Sequence, residues 1–563
     1  MSDNSEFKPN WIETAPQKGS YRSIFKYGDP NGFKHPNQRL LEELKSHLNL
    51  TDDNFKTKIN VGNEVVELNR KSQLETKHIE VLKNISGEEN VSIETYDRVK
   101  YSTGQTVEEA LKLRHKIIEK ISDVVVHPRT KEEVRKIVDY CNKHIIPIYP
   151  YGGGSSVNFG LYPEKGGINL VLSTHMNNIV SVNETNQTVT VQAGMMGPDF
   201  EAQLNNAPKH FGTKNPFTCG HFPQSFEYSS VGGWFVTLGS GQQSSYYGDA
   251  GDLVLGVEVV TPVGEIKTHT YPATATGPKI LDIIKGSEGV FGIVVELTWK
   301  IFKYQPENRQ RFGFIFPTWE SAVAASREIS QGEFGMPAVF RISDPEETQH
   351  GLKLYGIDGT FIDKIMLMCG YKPMQRCLFI GTADGDKSFT KNVKKNVKRI
   401  CRKHGAMYLT ALPAKKWEPG RYKDPYIKED LMDHGIIIDT LETGLSWDIL
   451  HEVHQKVRTF VKSRPNTICL THASHFYAQG TNLYFIYIIK EDDIEAYTKF
   501  QAGVIDAIEK SGGSLSHHHG VGRMIGPWMT KHLGAEEMDV LKALKRHFDP
   551  NNIMNPGSQM GLE

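Results

Sequence analysis

Apolar residues in this chain recur first at helical spacing, then in strand-like runs, and then in an alternation of the two. Residues 1–75 are polar and are punctuated by Pro9, Pro16, Pro30 and Pro36. Within them Leu40, Leu41, Leu44 and Leu48 follow helical spacing, which predicts a short helix over 37–48. A helix over 108–120 is expected to lead into a strand over 123–127. Thr130 then opens another helix, with Thr130-Lys131-Glu132-Glu133 as a capping box and Val134, Ile137, Val138 and Cys141 as the apolar face. The apolar run 145–149 reads as a strand that delivers Pro150-Tyr151-Gly152-Gly153-Gly154-Ser155-Ser156. Alternation over 179–183 and 188–192 predicts a hairpin, and 253–260 with 266–268 predicts a second one around a glycine-containing turn. Beyond about residue 303, helices such as 319–331 alternate with strands such as 375–382 and 482–489. There is no internal repeat.

A chain of 563 residues exceeds one ordinary core, so two or more domains are expected. A net charge of −1 gives no overall field for nucleic acid. No apolar run approaches the ~18 residues of a membrane span. The polar start lacks a secretory leader, and Met560-Gly561-Leu562-Glu563 is not a peroxisomal address, so a cytoplasmic protein is expected. Cys141, Cys219, Cys369, Cys377, Cys401 and Cys469 form no CxxC. Free thiols in a reducing compartment are expected, with neither an iron–sulfur cluster nor a metal site.

Two stretches carry candidate chemistry. In Ser516-His517-His518-His519-Gly520-Val521-Gly522, three imidazoles sit between small residues. In extended chain His517 and His519 would share one face and could transfer protons near neutral pH. The plainer alternatives are a surface histidine cluster or a metal site, the metal disfavoured because no HExxH or paired CxxC accompanies the run. The Gly152–Ser156 turn could wrap backbone N–H groups around a pyrophosphate. It is neither GxGxxG before a long helix nor GxxxxGK[ST], which argues against a nicotinamide Rossmann site and excludes a P-loop. One further segment, 387–403, sets Lys387, Lys391, Lys394, Lys395, Lys398, Arg399, Arg402 and Lys403 opposite Phe389, Val393, Val397 and Ile400. It reads as a solvated amphipathic helix, or as a contact with a membrane surface.

Val124-Val125-Val126-His127-Pro128 through Gly152-Gly153-Gly154-Ser155-Ser156 resembles the first half of a vanillyl-alcohol-oxidase-type (PCMH-type) FAD domain. The stretch from Pro223-Gln224-Ser225 to Gly232-Gly233-Trp234 resembles its second nucleotide segment, and Gly286-Ser287-Glu288 to Gly292-Ile293-Val294 its third. The His loop and Thr276-Gly277-Pro278 resemble the alkylglycerone-phosphate (alkyldihydroxyacetone-phosphate) synthases and their prokaryotic relatives. Asp549-Pro550-Asn551-Asn552-Ile553-Met554-Asn555-Pro556-Gly557 resembles the superfamily's C-terminal signature. The resemblance runs from about 79 to 557. It implies an α+β fold: an N-terminal segment 1–105, a two-subdomain PCMH-type FAD-binding domain 106–303, an α+β cap domain 304–510 of the FAD-linked oxidase C-terminal type, and a segment 511–563 returning to the flavin. The N-terminal helix is expected on the outside of the FAD domain.

The resemblance implies FAD contacts at Pro150, Tyr151, Gly152, Gly153, Gly154, Ser155 and Ser156, and at Gln224, Ser225, Phe226, Glu227, Tyr228, Ser229 and Ser230. It adds Thr237, Leu238, Gly239 and Ser240, and Glu288, Gly289, Val290, Phe291, Gly292, Ile293 and Val294. The first turn offers no His or Cys for a covalent link, so noncovalent FAD is expected, with Cys219 and His221 the nearby residues to watch. Tyr484 matches the family's proton-abstracting tyrosine, and His517, His518 and His519 its acid/base and phosphate-binding groups. Arg341 matches an active-site arginine. Lys428 stands where the synthases bind phosphate with arginine; a lysine keeps the charge and loses the bidentate fork. His472 and His475 depart from the synthase pattern.

The implied reaction exchanges the acyl group of acyl-dihydroxyacetone phosphate for a fatty alcohol through a flavin N5 adduct, in a homodimer acting on a lipid substrate. The alternative is an FAD-linked dehydrogenase or oxidase of a 2-hydroxy acid or other alcohol, working with an electron-transfer partner. The GHxGDGNxH and GEHGIG segments of the lactate and glycolate enzymes are missing, which favours the synthase-like branch.

Overall fold

Val124–Val126, Ile168–Val171 and Ile148–Tyr151 are short apolar strands that pair in parallel, in that spatial order. Parallel strands are covered on both faces, so their sequences read as apolar runs without alternation. In the computed structural model, which describes residues 7–558 and 562, they belong to one of two compact units.

That unit comprises residues 18–25, 63–304 and 515 onward. Val91–Ser92 completes its first sheet, antiparallel to Val124–Val126. The helix Lys131–His144 supplies Val134, Ile137, Val138 and Cys141 to the core. Its expected capping box is one-sided. Thr130 accepts the Glu133 N–H, but the Glu133 carboxylate turns to the Arg129 N–H and Nε instead. Ile145, expected in a strand, is the helix's left-handed cap with φ 54, and the strand starts at Ile148. The helix expected over 108–120 ends at Arg114, and Lys116 takes φ 60.

The second sheet of this unit is antiparallel, in the order Ile179–Asn183, Thr188–Gln192, Ile293–Lys300, Val254–Thr261, Gly264–Lys267. Both expected hairpins form its edges. The C-terminal signature runs along the open edge of Ile148–Tyr151: the Ile148 N–H donates to Ile553 O at 2.7 Å, and the Asn555 N–H donates to Ile148 O at 2.8 Å. Buried Lys545 anchors this tail by donating to Val290 O, Asp549 Oδ2 and Met554 O. Three acceptors offset the cost of burying its charge.

The other unit comprises residues 7–17, 26–62 and 305–514. Seven antiparallel strands form its sheet, in the order Met407–Tyr408, Gln310–Phe316, Cys377–Ala383, Phe340–Ser343, Ile468–Ser474, Gly480–Lys490, Ile436–Ser446. Leu450–Ser463 and Ile494–Lys510 pack together and against the sheet. The basic helix Lys387–Lys403 buries Val393, Val397 and Ile400. No helix among the described residues is long and apolar enough to cross a membrane.

The N-terminal 105 residues are not one segment on the FAD domain. The helix Gln38–Leu48, capped by the Asn37 side chain on the Leu40 N–H, packs Leu41, Leu44 and Leu48 on Ile436, Ile468 and Ile488 of the seven-stranded sheet. Its leucine stripe specified a partner surface without specifying which one.

Candidate active site

The glycine turn is built by close approach. A Cβ on Gly152 would overlap Ser230 Oγ, and one on Gly153 would overlap Tyr228 O, so the second nucleotide segment lies directly on the first. Gly154 adopts φ +76, a left-handed conformation suited to glycine. Among the described residues no acceptor takes the N–H of Gly153, Gly154 or Ser155, and the turn is only half-buried. Backbone donors on a glycine cradle are what an anionic pyrophosphate needs.

The neighbouring segments support that cradle from within. Ser230 caps the helix Val231–Val236 by accepting the Gly233 N–H, and Ser229 Oγ accepts Trp234 Nε1–H at 2.6 Å. Thr237 Oγ1 donates to Gly233 O, and Ser240 Oγ donates to Asp249. Leu238 takes φ 53. Val290, Phe291, Ile293 and Val294 are buried core side chains, so this segment can meet a ligand only through its backbone. Cys219 and His221 are also fully buried. Burial pushes the Cys219 thiol well up and holds His221 down at about 3, which leaves both uncharged. Thr276-Gly277-Pro278 lies in a fully exposed stretch.

The His loop belongs to the same unit and is a coil, so the shared face that extended chain would give His517 and His519 does not apply. Ser516 Oγ accepts the N–H of both His519 and Gly520 at 3.1 Å, which bends the backbone sharply. His517 Nδ1 lies 3.1 Å from His518 Nδ1, and the His518 and His519 rings cross edge-on at 4.7 Å. Two residues clasp the loop. Glu288 accepts the N–H groups of Val521 (2.6 Å) and Gly522 (2.8 Å), and Asn158 Nδ2 donates to His519 O at 3.1 Å. Gly520 (φ +84) and Gly522 (φ +52) have no room for a Cβ against Glu288 and Asn158, which explains the glycines. Burial raises Glu288 to about 7, against the lowering effect of the two N–H groups and Arg523.

In the other unit a polar row crosses one sheet face. The register aligns Ser343, His472, Tyr484 and Glu442, and Arg341 lies on the same face two residues from Ser343. The His472 ring stacks on Tyr484 with centroids 5.0 Å apart. Tyr484 Oη donates to Thr440 Oγ1 at 3.0 Å. Burial pushes its hydroxyl up to about 12, with Thr440 and Arg341 opposing the shift. Glu347 receives Arg341 Nη2 at 2.5 Å and lies 3.0 Å from His472 Nδ1. Its burial resists ionisation, but Arg341 and His472 hold its carboxyl well below the usual range. Burial and Arg341 lower His472, so a neutral His472 donates to an ionised Glu347.

Glu347, Thr440, Glu442 and Asn158 had not been singled out in the sequence. Asp344-Pro345-Glu346-Glu347 does mark a helix start, and Asp344 Oδ1 does accept the Glu347 N–H. That cap aims the carboxylate back at the Arg341 strand. His475 departs from the row: it takes φ 53 in the loop between Ile468–Ser474 and Gly480–Lys490. Lys428 lies on the short helix Ile427–Met432, whose Glu429 and Asp430 receive the Tyr27 N–H and His35 Nδ1.

Comparison with known proteins covers both units. A model of FAD binding domains matches residues 122–270, and a model of the C-terminal domain of FAD linked oxidases matches 305–558. The alkyldihydroxyacetonephosphate synthase of Dictyostelium discoideum is 33% identical, over 82% of this chain and 76% of its own length. An uncharacterised FAD-linked oxidoreductase of Escherichia coli (strain K12) is 28% identical, over 79% of this chain and 90% of its own. A solved alkyldihydroxyacetonephosphate synthase superposes with a TM-score of 0.79 at 27% identity, covering 95% of this chain and 99% of that one. FAD is the cofactor these matches indicate, and the open N–H groups of the glycine turn fit its pyrophosphate.

Proposed function

This chain belongs to the alkyldihydroxyacetonephosphate synthase family of FAD-linked oxidases, and on that footing we propose that it exchanges the acyl group of an acyl-dihydroxyacetone phosphate for a fatty alcohol. It is an FAD-dependent enzyme. The observation that carries the reading is Tyr484 on one sheet face with Arg341, which Glu347 fixes; His472, the departure from the synthase pattern, stacks on the tyrosine. FAD, held without a covalent bond, supplies the electrophilic ring against which the substrate carbon is activated.

Tyr484 carries the proton taken from the substrate. It can take that proton only as the phenolate, which its raised pKa disfavours and the charge of Arg341 favours. His517, His518 and His519 act as acid/base and phosphate-binding groups, and Lys428 meets the phosphate as a point charge. His475 contributes to substrate binding from its loop. We place the enzyme in the cytoplasm as a homodimer, with the basic face of Lys387–Lys403 at an anionic lipid surface. Light scattering tests the homodimer, and co-sedimentation with anionic vesicles tests the lipid contact.

The test of the reaction is anaerobic. With acyl-dihydroxyacetone phosphate and a fatty alcohol, fatty acid should be released and the alkyl ether formed while the flavin ends oxidised. Lasting bleaching by D-lactate, glycolate or a related alcohol, with no acyl-for-alkyl exchange, would replace this reading with a dehydrogenase that needs an electron acceptor.

A further inference from the structure

Glu43 and His47 lie four residues apart on the helix Gln38–Leu48 and therefore share one face. The helix Pro345–Leu354 packs on that helix and brings His350 to the same point. Glu43 Oε1 is 3.4 Å from His47 Nδ1 and 3.4 Å from His350 Nδ1. The imidazole centroids are 5.2 Å apart, with the rings crossed at 60°. One ligand atom from each of the three residues falls within 4.8 Å of the other two.

These spacings have a physical meaning. Charge-assisted hydrogen bonds close to roughly 2.7–2.9 Å, so neither histidine is tightly paired with the carboxylate. Ligands about 2.1 Å from a tetrahedral zinc ion stand about 3.4 Å from one another. Lys353 Nζ bonds the other oxygen of Glu43, Oε2, which leaves Oε1 turned to the imidazoles. Glu43 and His350 are buried while His47 is exposed, so a fourth position on that side opens to water. His47 Nδ1 also lies 3.1 Å from Glu43 O, a contact that an ion would displace.

We propose that Glu43, His47 and His350 form a binding site for a divalent transition-metal ion, zinc by preference, that fastens the N-terminal helix to the helix Pro345–Leu354. Two imidazoles and one carboxylate are a borderline-soft donor set suited to zinc. The sequence expectation of no metal site rested on the absence of HExxH and of paired CxxC. It had no access to a trio whose third member is far along the chain.

The test titrates metal-stripped, full-length protein with zinc chloride by calorimetry, beside His47→Gln and His350→Gln. FAD content and circular dichroism check folding. The His517–His519 cluster can also attract zinc, so the decisive quantity is what each substitution removes. Each variant should bind one zinc ion fewer than the parent, or bind it more than about 100-fold more weakly, beyond the loss typical of an outer-shell partner. Zinc should also slow hydrogen exchange across Gln38–Leu48 in the parent alone. Unchanged stoichiometry and affinity in His47→Gln, whose exposed side chain the fold does not need, would overturn the site. Exchange in Gln38–Leu48 that ignores zinc would overturn it equally.

Discussion

Glu288 and Gly522, 234 residues apart in the chain, are joined by a 2.8 Å hydrogen bond from the Gly522 N–H to Oε2, while Oε1 takes the N–H of Val521. One buried carboxylate thus fixes the exit of the histidine loop. A carboxylate can accept two N–H groups at once, and a carboxamide of the same shape cannot, because its NH₂ faces one of the donors.

Glu288→Gln should therefore cost about 1–3 kcal/mol and speed hydrogen exchange in the loop around 516–522. The pH response has a definite sign. The folded-state pKa of about 7 stands above the ordinary 4.5, so the fold prefers the protonated acid. This contribution is complete below about pH 4.5 and is lost as pH rises through 7, on the order of 3 kcal/mol in all. Melting temperatures recorded from pH 5 to 8 should fall for the parent over that window. The Gln variant should show a flatter profile there.

Gly522→Ala should disorder the histidine loop. The added Cβ would overlap Asn158 O, and φ +52 is strained for alanine. Left-handed strain of about 1–2 kcal/mol adds to overpacking of about 1–3 kcal/mol. Thermal denaturation with flavin retention as a second readout measures the effect. A melting temperature unchanged from the parent would show that the loop backbone is free to relax.

Tyr484→Phe should retain FAD and lose turnover by roughly 10²–10⁴-fold, the usual size of a proton-transfer contribution. The substitution removes only the hydroxyl that donates to Thr440. With a pKa of about 12, the phenolate fraction rises about tenfold per pH unit through neutrality. Values of kcat/KM for the parent should climb with pH in step with it. A flat profile between pH 7 and 9 would mean that Tyr484 acts in its protonated form.

Acid precipitation should release yellow flavin into the supernatant, because the glycine turn offers backbone N–H groups and no linking side chain. Cys219 and His221 are fully buried, His221 against the rings of Trp234 and Trp299, and burial keeps both uncharged, which disfavours either as the linking nucleophile. Flavin retained in the pellet would contradict the noncovalent assignment.

Much of this molecule is written locally. The strands before Lys131–His144 and before the glycine turn, the two hairpins, the amphipathic helices and the glycine turn itself follow from runs, periods and clustered glycines, which depend on neighbours within a few residues. The His517–His519 loop stood out as three imidazoles between small residues, and Tyr484 by resemblance, because in both cases the flanking residues travel with them. What lay outside the sequence is pairing at long range. The leucine stripe of Gln38–Leu48 required an apolar surface, and only tertiary packing chose the sheet bearing Ile436, Ile468 and Ile488 over the FAD domain. The conformation of the histidines was open in sequence; Ser516, Asn158 and Glu288 satisfy the loop's N–H and C=O groups in a coil. Glu347 is one acid among many in sequence; strand register and a helix cap bring it between Arg341 and His472. Local propensity decides which elements form, whereas desolvated charges and hydrogen-bonding groups acquire partners only when distant segments meet.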